Sequence, residues 1–222
     1  FLKSLKANTS VAITNFTNPY ASMEGVTKQK IKYKRADGVD LTGDLYLPKG
    51  YNKDNDGPLP TLIWAYPREF NSAADAAQVR GSENRFTTLS WATPIYWATR
   101  GYAVLDNAEM PIVAVEGKKP NDTFVAQLEL NAKAAIGKLS EMGVGDKNRM
   151  AVGGHSYGAF MTANLLAHTN LFAAGIARSG AYNRTLTPFG FQNEERTYWQ
   201  AQELYTEMSP FTYADKIKTP IL

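Results

Sequence analysis

Ser156 is flanked at two-residue spacing by Gly154 and Gly158, in the run Gly153-Gly154-His155-Ser156-Tyr157-Gly158. Apolar Met150-Ala151-Val152 precede this run, and Ala159, Phe160, Met161, Ala163, Leu165, Leu166 and Ala167 follow it. A Gly-x-Ser-x-Gly element between a buried strand and a buried helix is the sequence form of a nucleophile elbow, a taut turn that holds a serine hydroxyl outward. Its glycines have a mechanical role. The serine occupies a sparsely populated backbone region, and strand and helix approach too closely for side chains at 154 and 158. The plainer reading is a glycine-rich turn without chemistry.

A serine hydroxyl becomes an effective nucleophile when a nearby base takes its proton. The chain holds two histidines. His155 adjoins the serine, so its ring leaves the turn in another direction and reads as a packing or pocket residue. His168 lies further along the elbow helix, about 18 Å away at 1.5 Å rise per residue. No lysine lies near the motif. In hydrolases with this elbow the acid and the histidine both follow the serine in the chain. The expectation is therefore that both lie beyond Leu222, in a protein longer than this sequence. For the developing oxyanion, the N–H of Tyr157 is one donor by the logic of the motif. The second is expected from a loop at Ala65–Phe70, which lacks the His-Gly-Gly-Gly run of many lipases. The hydroxyl of Tyr66 is available there, with simple packing as its alternative role. His155 and His168 show no ligand pattern with nearby acids, so neither metal nor cofactor is expected.

Elements that position these residues are legible in the pattern. Lys28–Arg35 and Val39–Leu47 read as a hairpin about Asp37-Gly38, with Val39, Leu41, Leu45 and Leu47 alternating with polar residues. Asn52–Pro60 reads as an exposed loop and Thr61–Trp64 as a buried strand. Ile95–Arg100 reads as a helix capped by Gly101, followed by the strand Tyr102–Leu105. Asp122–Met142 reads as a long helix with Asp122 as its cap and Val125, Leu128, Ala132, Ala135, Ile136 and Leu139 as its apolar stripe. Ala173–Ala177 is a further buried strand, and Tyr182–Tyr205 is a polar, aromatic-rich insertion. Thr219–Leu222 begins another apolar run. A hairpin followed by alternating strands and helices predicts an α/β fold, a mostly parallel sheet with helices on both faces. Chemistry in such sheets gathers at the carboxyl ends of the strands, where the elbow lies.

The bulk composition is compatible with that picture. A chain of 222 residues with 44% hydrophobic content can bury one sizeable core. Its 24 basic and 21 acidic residues are mixed along the chain, and no basic stripe suggests a nucleic-acid partner. Cysteine is absent, which excludes disulfides and thiol nucleophiles and leaves the compartment open. No apolar run reaches membrane-spanning length, so a soluble chain without a membrane partner is expected. Residues 1–26, rich in Thr, Asn and Ser and without an initiator Met, read as a linker entering the domain.

The segment Gly153–Met161 resembles the elbow of the prolyl oligopeptidase family of serine peptidases. Gly175–Gln192, Trp64–Phe70 and Gln78-Val79-Arg80-Gly81-Ser82 look most like its glutamyl endopeptidase branch, so the resemblance spans about residues 27–222. It implies an α/β-hydrolase catalytic domain preceded by a β-propeller, with residues 1–26 as the link between them. It also implies that a tyrosine hydroxyl completes the oxyanion hole, and Tyr66 occupies the matching position. Preference for an acidic residue before the scissile bond needs a cation in the receiving pocket, since a buried carboxylate without a charged partner is costly. The family builds that pocket from the segment after the Ala173–Ala177 strand. Arg184 is the first candidate, followed by Arg178 and Arg196, with Phe191, Tyr198 and Trp199 as walls. For Arg196, beside Glu194 and Glu195, an internal ion pair is the alternative. The resulting expectation is a serine peptidase acting on peptides after glutamate or aspartate, completed by its upstream and C-terminal parts. Its rivals are a carboxylesterase or lipase on the same fold and a catalytically inactive fragment or binding module.

Overall fold

An exposed ribbon of β1 (Leu2–Ser4) and β2 (Thr9–Val11) leads the chain in the computed structural model, which describes residues 1–76 and 87–222. Within the expected linker, only Met23 and Val26 are partly buried, against Tyr46, Ile95, Ala98 and Val104. The motif Gln78–Ser82 lies outside the described residues. The hairpin follows as β3 (Thr27–Lys34) and β4 (Asp40–Leu47), in register from Thr27↔Leu47 to Lys34↔Asp40. Its turn closes through Arg35 N–H to the Val39 carbonyl at 2.8 Å, with Gly38 at φ 94°.

Beyond the hairpin come α1 (Lys53–Asp56), β5 (Leu59–Phe70), α2 (Ala73–Ala76), β6 (Ala103–Val113) and α3 (Phe124–Glu141). The chain continues through β7 (Gly145–His155), α4 (Tyr157–His168), β8 (Ala174–Arg178) and α5 (Gln202–Met208). Among the described residues six strands form one sheet in the order β3-β4-β6-β5-β7-β8. Strand β4 runs antiparallel to both its neighbours, β3 and β6, while β6, β5, β7 and β8 run parallel. From β5 the chain steps one way to β6, and from β6 it crosses over β5 to reach β7. That reversal opens a crevice at the carboxyl ends of β5 and β7, where ligands bind in open α/β sheets. Residues 220–222 then add to the outer edge of β8, with Ala177 N–H bonded to the Leu222 carbonyl at 2.7 Å.

Two expected strands prove longer than their sequence signal. Ala65–Phe70, expected as a loop, continues β5, and residues 106–113 continue β6, paired from Ala65↔Ala108 to Phe70↔Val113. Pro67 and Pro111 disguise this extension. Pairing of β5 with β7 ends at Trp64, and pairing of β6 with β4 ends at Asp106. Past those points each strand pairs with one strand among the described residues, and a proline without an N–H is tolerated on the other side. The register slips between Ile63 and Ala65, where β6 accommodates an extra residue and Asn107 takes φ 51°. The bulge twists the two strands into a projecting ribbon.

Buried amides tie this ribbon to α3. Gln127 bonds both the N–H and the carbonyl of Val113, at 2.8 and 2.9 Å. Asn131 Nδ2 and Arg35 Nη1 each donate to the Pro111 carbonyl at 2.9 Å. The apolar stripe of α3 buries Leu128, Ala132, Ala135 and Leu139 against the sheet. Full burial of each leucine contributes about 2 kcal/mol. The expected cap differs: Asp122 lies in a 3-10 turn at Pro120–Thr123, where it accepts from Lys119 N–H, and Thr123 precedes the α-helix. Helices α3 and α4 cover one sheet face, and the 3-10 helix Pro94–Arg100, closed by Gly101, covers part of the other. Among the described residues no helix is long and apolar enough to cross a membrane.

Candidate active site

The taut turn expected at Ser156 is present. Ser156 joins β7 to α4 at φ 57° and ψ −113°, a conformation that costs a non-glycine residue about 1–3 kcal/mol. Its backbone is fixed on both sides. Ser156 N–H donates to the Arg178 carbonyl at 2.9 Å, and its own carbonyl accepts from Ala159 and Phe160 at 3.0 and 3.1 Å. The glycines are needed for a close approach. A Cβ on Gly154 would lie 2.6 Å from both the Ala65 carbonyl oxygen and Gly158 Cα, and one on Gly158 would strike the same oxygen. The elbow thus seats on the Ala65 backbone, immediately before Tyr66. Ser156 is half-buried, and its hydroxyl has no hydrogen-bond partner among the described residues.

Tyr157 opens α4, so its N–H belongs to the first turn, where no intrahelical acceptor exists. Tyr66 stands on β5 beside it, the two rings meeting edge to face at 6.0 Å. With 43% of its surface exposed, Tyr66 is held by one ring contact and is not packed away. Its hydroxyl has no partner among the described residues. The buried Tyr157 hydroxyl donates to Glu69 Oε1 at 2.8 Å. Glu69 went unnoticed in the sequence, because this bond joins positions far apart in the chain. Burial pushes the Glu69 carboxyl up, against the opposing pull of Tyr157 and Arg184.

The three candidate arginines have different surroundings. Arg196 forks onto Glu194 at 2.8 Å and reaches Asp122 at 2.7 Å, the internal ion pair foreseen as its alternative role. Arg178 lies over the ring of Trp91 at 4.4 Å. Arg184 is 5% exposed and lies over three rings: Phe160 at 4.1 Å, Phe191 at 4.6 Å and Tyr157 at 5.3 Å. No carboxylate lies within ion-pair distance of it among the described residues, and its Nε is buried without an acceptor. A cationic group so placed has cation–π support but no hydrogen-bonded counter-charge. Its backbone is fixed by the buried Ser209, whose Oγ accepts from Arg184 N–H at 2.8 Å and donates to the Tyr205 carbonyl at 2.6 Å.

Of the expected walls, the structure brings Phe191 to Arg184 and leaves Tyr198 and Trp199 further out. Tyr198 packs on Tyr205, and Trp199 on Phe189. Phe160, unremarked in sequence terms beyond its apolarity, is the ring nearest Arg184. Neither histidine bonds to Ser156. His155 Nδ1 lies 3.2 Å from the Arg178 carbonyl, and His168, at the far end of α4, meets the Tyr213 ring at 4.4 Å. A cleft of about 450 Å³ with mixed polar and apolar lining runs past Lys30, Asp44, Arg68 and Glu109 to Tyr66 and His155.

Comparison with known proteins agrees with this geometry. Residues 131–222 match the model of the prolyl oligopeptidase family. The chain is 55% identical over 211 residues to a probable chloroplastic glutamyl endopeptidase of Arabidopsis thaliana, covering 95% of this chain and 22% of that protein. A protein of the same description from Oryza sativa subsp. japonica is 54% identical over 213 residues, covering 96% of this chain and 23% of the relative. The chain therefore spans less than a quarter of these relatives. Among solved structures, Porphyromonas gingivalis dipeptidyl peptidase 4 superposes with a TM-score of 0.67 at 20% identity, over 89% of this chain and 27% of the other. At that identity the likeness speaks for fold alone. Elbow and strand order are those of the α/β-hydrolase fold, and the stretch from residue 131 to 222 is similar to the prolyl oligopeptidase family.

Proposed function

We propose that this chain is the nucleophile-bearing part of a serine peptidase that cleaves after glutamate or aspartate. The observation that carries this reading is the pairing of the strained Ser156 with a buried cation, Arg184, that has no ion-pair partner among the described residues and lies over the ring of the very next residue. Ser156 Oγ gives its proton to the general base and attacks the peptide carbonyl. The C–N bond breaks, the amine leaves with that proton, and water then hydrolyses the acyl-enzyme to release the acid. The Tyr157 N–H and the Tyr66 hydroxyl receive the negative charge that develops on the carbonyl oxygen. Arg184 receives the acidic side chain preceding the scissile bond, with Phe160 and Phe191 excluding water around that pair. The general base and its acid partner come from a part of the longer protein, because neither histidine here is placed to take the serine proton. An upstream propeller restricting access to small or unfolded peptides belongs to the same reading, as does an organellar compartment, in line with the relatives' description.

The test compares the full-length protein with its Ser156→Ala and Arg184→Gln variants on peptides differing only in glutamate or glutamine before the scissile bond. Ser156→Ala is expected to abolish turnover and labelling by a fluorophosphonate probe. Arg184→Gln is expected to lower kcat/KM for the glutamate peptide about a hundredfold, and that for the glutamine peptide far less. Full turnover by Ser156→Ala refutes the peptidase reading, and an unaltered glutamate preference in Arg184→Gln refutes the assignment of the pocket. The isolated chain is expected to label weakly or not at all.

A further inference from the structure

A buried guanidinium that awaits a substrate carboxylate still needs its charge offset in the empty enzyme. Among the described residues Glu69 acts on Arg184, and Glu194 in turn acts on Glu69; the two acids differ in availability. Glu194 is fully engaged: Oε1 accepts from Arg196 N–H and Nε at 3.0 and 2.8 Å, and Oε2 from Arg196 Nη2 and Asn121 Nδ2 at 2.8 and 3.3 Å. Glu69 faces Arg184 across a single side chain, that of Tyr157. One end of this tyrosine donates its hydroxyl to Glu69 Oε1 at 2.8 Å, and its ring lies 5.3 Å from the guanidinium carbon. No cation pairs with Glu69 within ion-pair distance among the described residues. Glu69 and Arg184 are thus opposite charges held at a fixed separation by a rigid ring, close enough to influence each other and too far apart to pair.

We propose that Glu69 is a selectivity residue: its carboxylate competes with the acidic side chain of the substrate for Arg184, so preference for an acidic residue is strongest when Glu69 is uncharged. This rests on the reading of Arg184 given above and goes beyond it by assigning the opposing charge. Two carboxylates near one guanidinium in a desolvated site repel each other, and the one not paired to it then favours its neutral form. The groups facing Glu69 are the Tyr157 hydroxyl from α4, Arg184 from the segment after β8, and Glu194 from the same insertion. Burial already pushes the Glu69 carboxyl up from its ordinary value. Entry of an acidic side chain therefore takes one proton from solvent onto Glu69. The site passes from one carboxylate beside Arg184 to one carboxylate and one neutral acid. As pH rises through the range in which Glu69 ionises, the glutamate-to-glutamine ratio of kcat/KM falls, while the substrate carboxyl stays charged above about pH 5.

Glu69→Gln in the full-length protein removes the charge and keeps a carbonyl to accept from Tyr157. The expected result is a glutamate-to-glutamine ratio about tenfold above wild type on the alkaline side of the wild-type profile, without the wild-type decline as pH rises. A second measurement does not depend on the folding of that variant. Titration calorimetry of the Ser156→Ala protein with a glutamate peptide, in buffers of different ionisation enthalpy, is expected to show proton uptake that the glutamine peptide lacks. A Glu69→Gln ratio that follows the wild-type curve, or falls below it, overturns the proposal, as does binding without proton uptake. These failures are distinct from failure of the pocket assignment. If Arg184→Gln collapses the ratio while Glu69→Gln leaves it unmoved, only the role of Glu69 is lost. If Arg184→Gln leaves the ratio intact, the pocket assignment itself falls.

Discussion

Tyr66 offers a clean separation of chemistry from stability. Its hydroxyl has no partner among the described residues, whereas its ring meets Tyr157 edge-on. Tyr66→Phe keeps that ring contact and removes only the donor proposed for the oxyanion. In the full-length protein kcat is expected to fall about a hundredfold, with KM nearly constant and the thermal midpoint unchanged. A fall in the midpoint, or a rise in KM at constant kcat, would assign Tyr66 to packing or ground-state binding. Sequence alone named Ser156, Tyr157, Tyr66 and Arg184 because each belongs to a local signal or lies in an identifiable segment. Glu69 and Phe160 escaped for a physical reason. The roles proposed for them rest on proximity across the fold, through a hydroxyl bond from α4 to β5 and a ring face turned toward a buried cation.

Among the elements, the junction of β7 and α4 tolerates the least change. Gly158→Ala would drive a methyl into the Ala65 backbone, which belongs to a central strand and cannot yield as a flexible side chain can. A loss of about 2–3 kcal/mol in urea unfolding is expected, together with loss of probe labelling as Ser156 and Tyr66 move apart. Wild-type stability in that variant would show that the turn has more room than the Ala65 contact implies. The hairpin and α3 were legible because their periodicities, two and near four, run uninterrupted across one buried face. The ribbon was not legible. Pro67 and Pro111 mimic a chain break, and only the loss of one neighbouring strand on each side explains why they are accommodated. The 3-10 turn that displaced Asp122 from the α3 cap follows from Pro120, which fixes the turn before the helix begins.

For the molecule as a whole, the insertion between β8 and the chain end is stitched to the start of α3 by charge. Burial alone would raise the Glu194 carboxyl, but the Arg196 fork overrides it and holds it below the usual glutamate range. A carboxyl depressed in this way contributes stability above its unfolded value, near pH 4.3, and loses that contribution as pH falls through the folded value. Glu194→Gln is therefore expected to cost about 2 kcal/mol at pH 7 in denaturant unfolding, with the gap from wild type narrowing below about pH 4. A gap independent of pH would mean that shape, and not charge, joins insertion and helix. The ribbon has a mechanical consequence at this scale. Tyr66 and Glu69 ride on the same cantilever, rooted where the elbow rests on Ala65 and braced from behind by Gln127 and Asn131. Any load that tilts its tip shifts the proposed oxyanion donor and the proposed competing charge in concert, so on these assignments speed and discrimination are geared together by one lever.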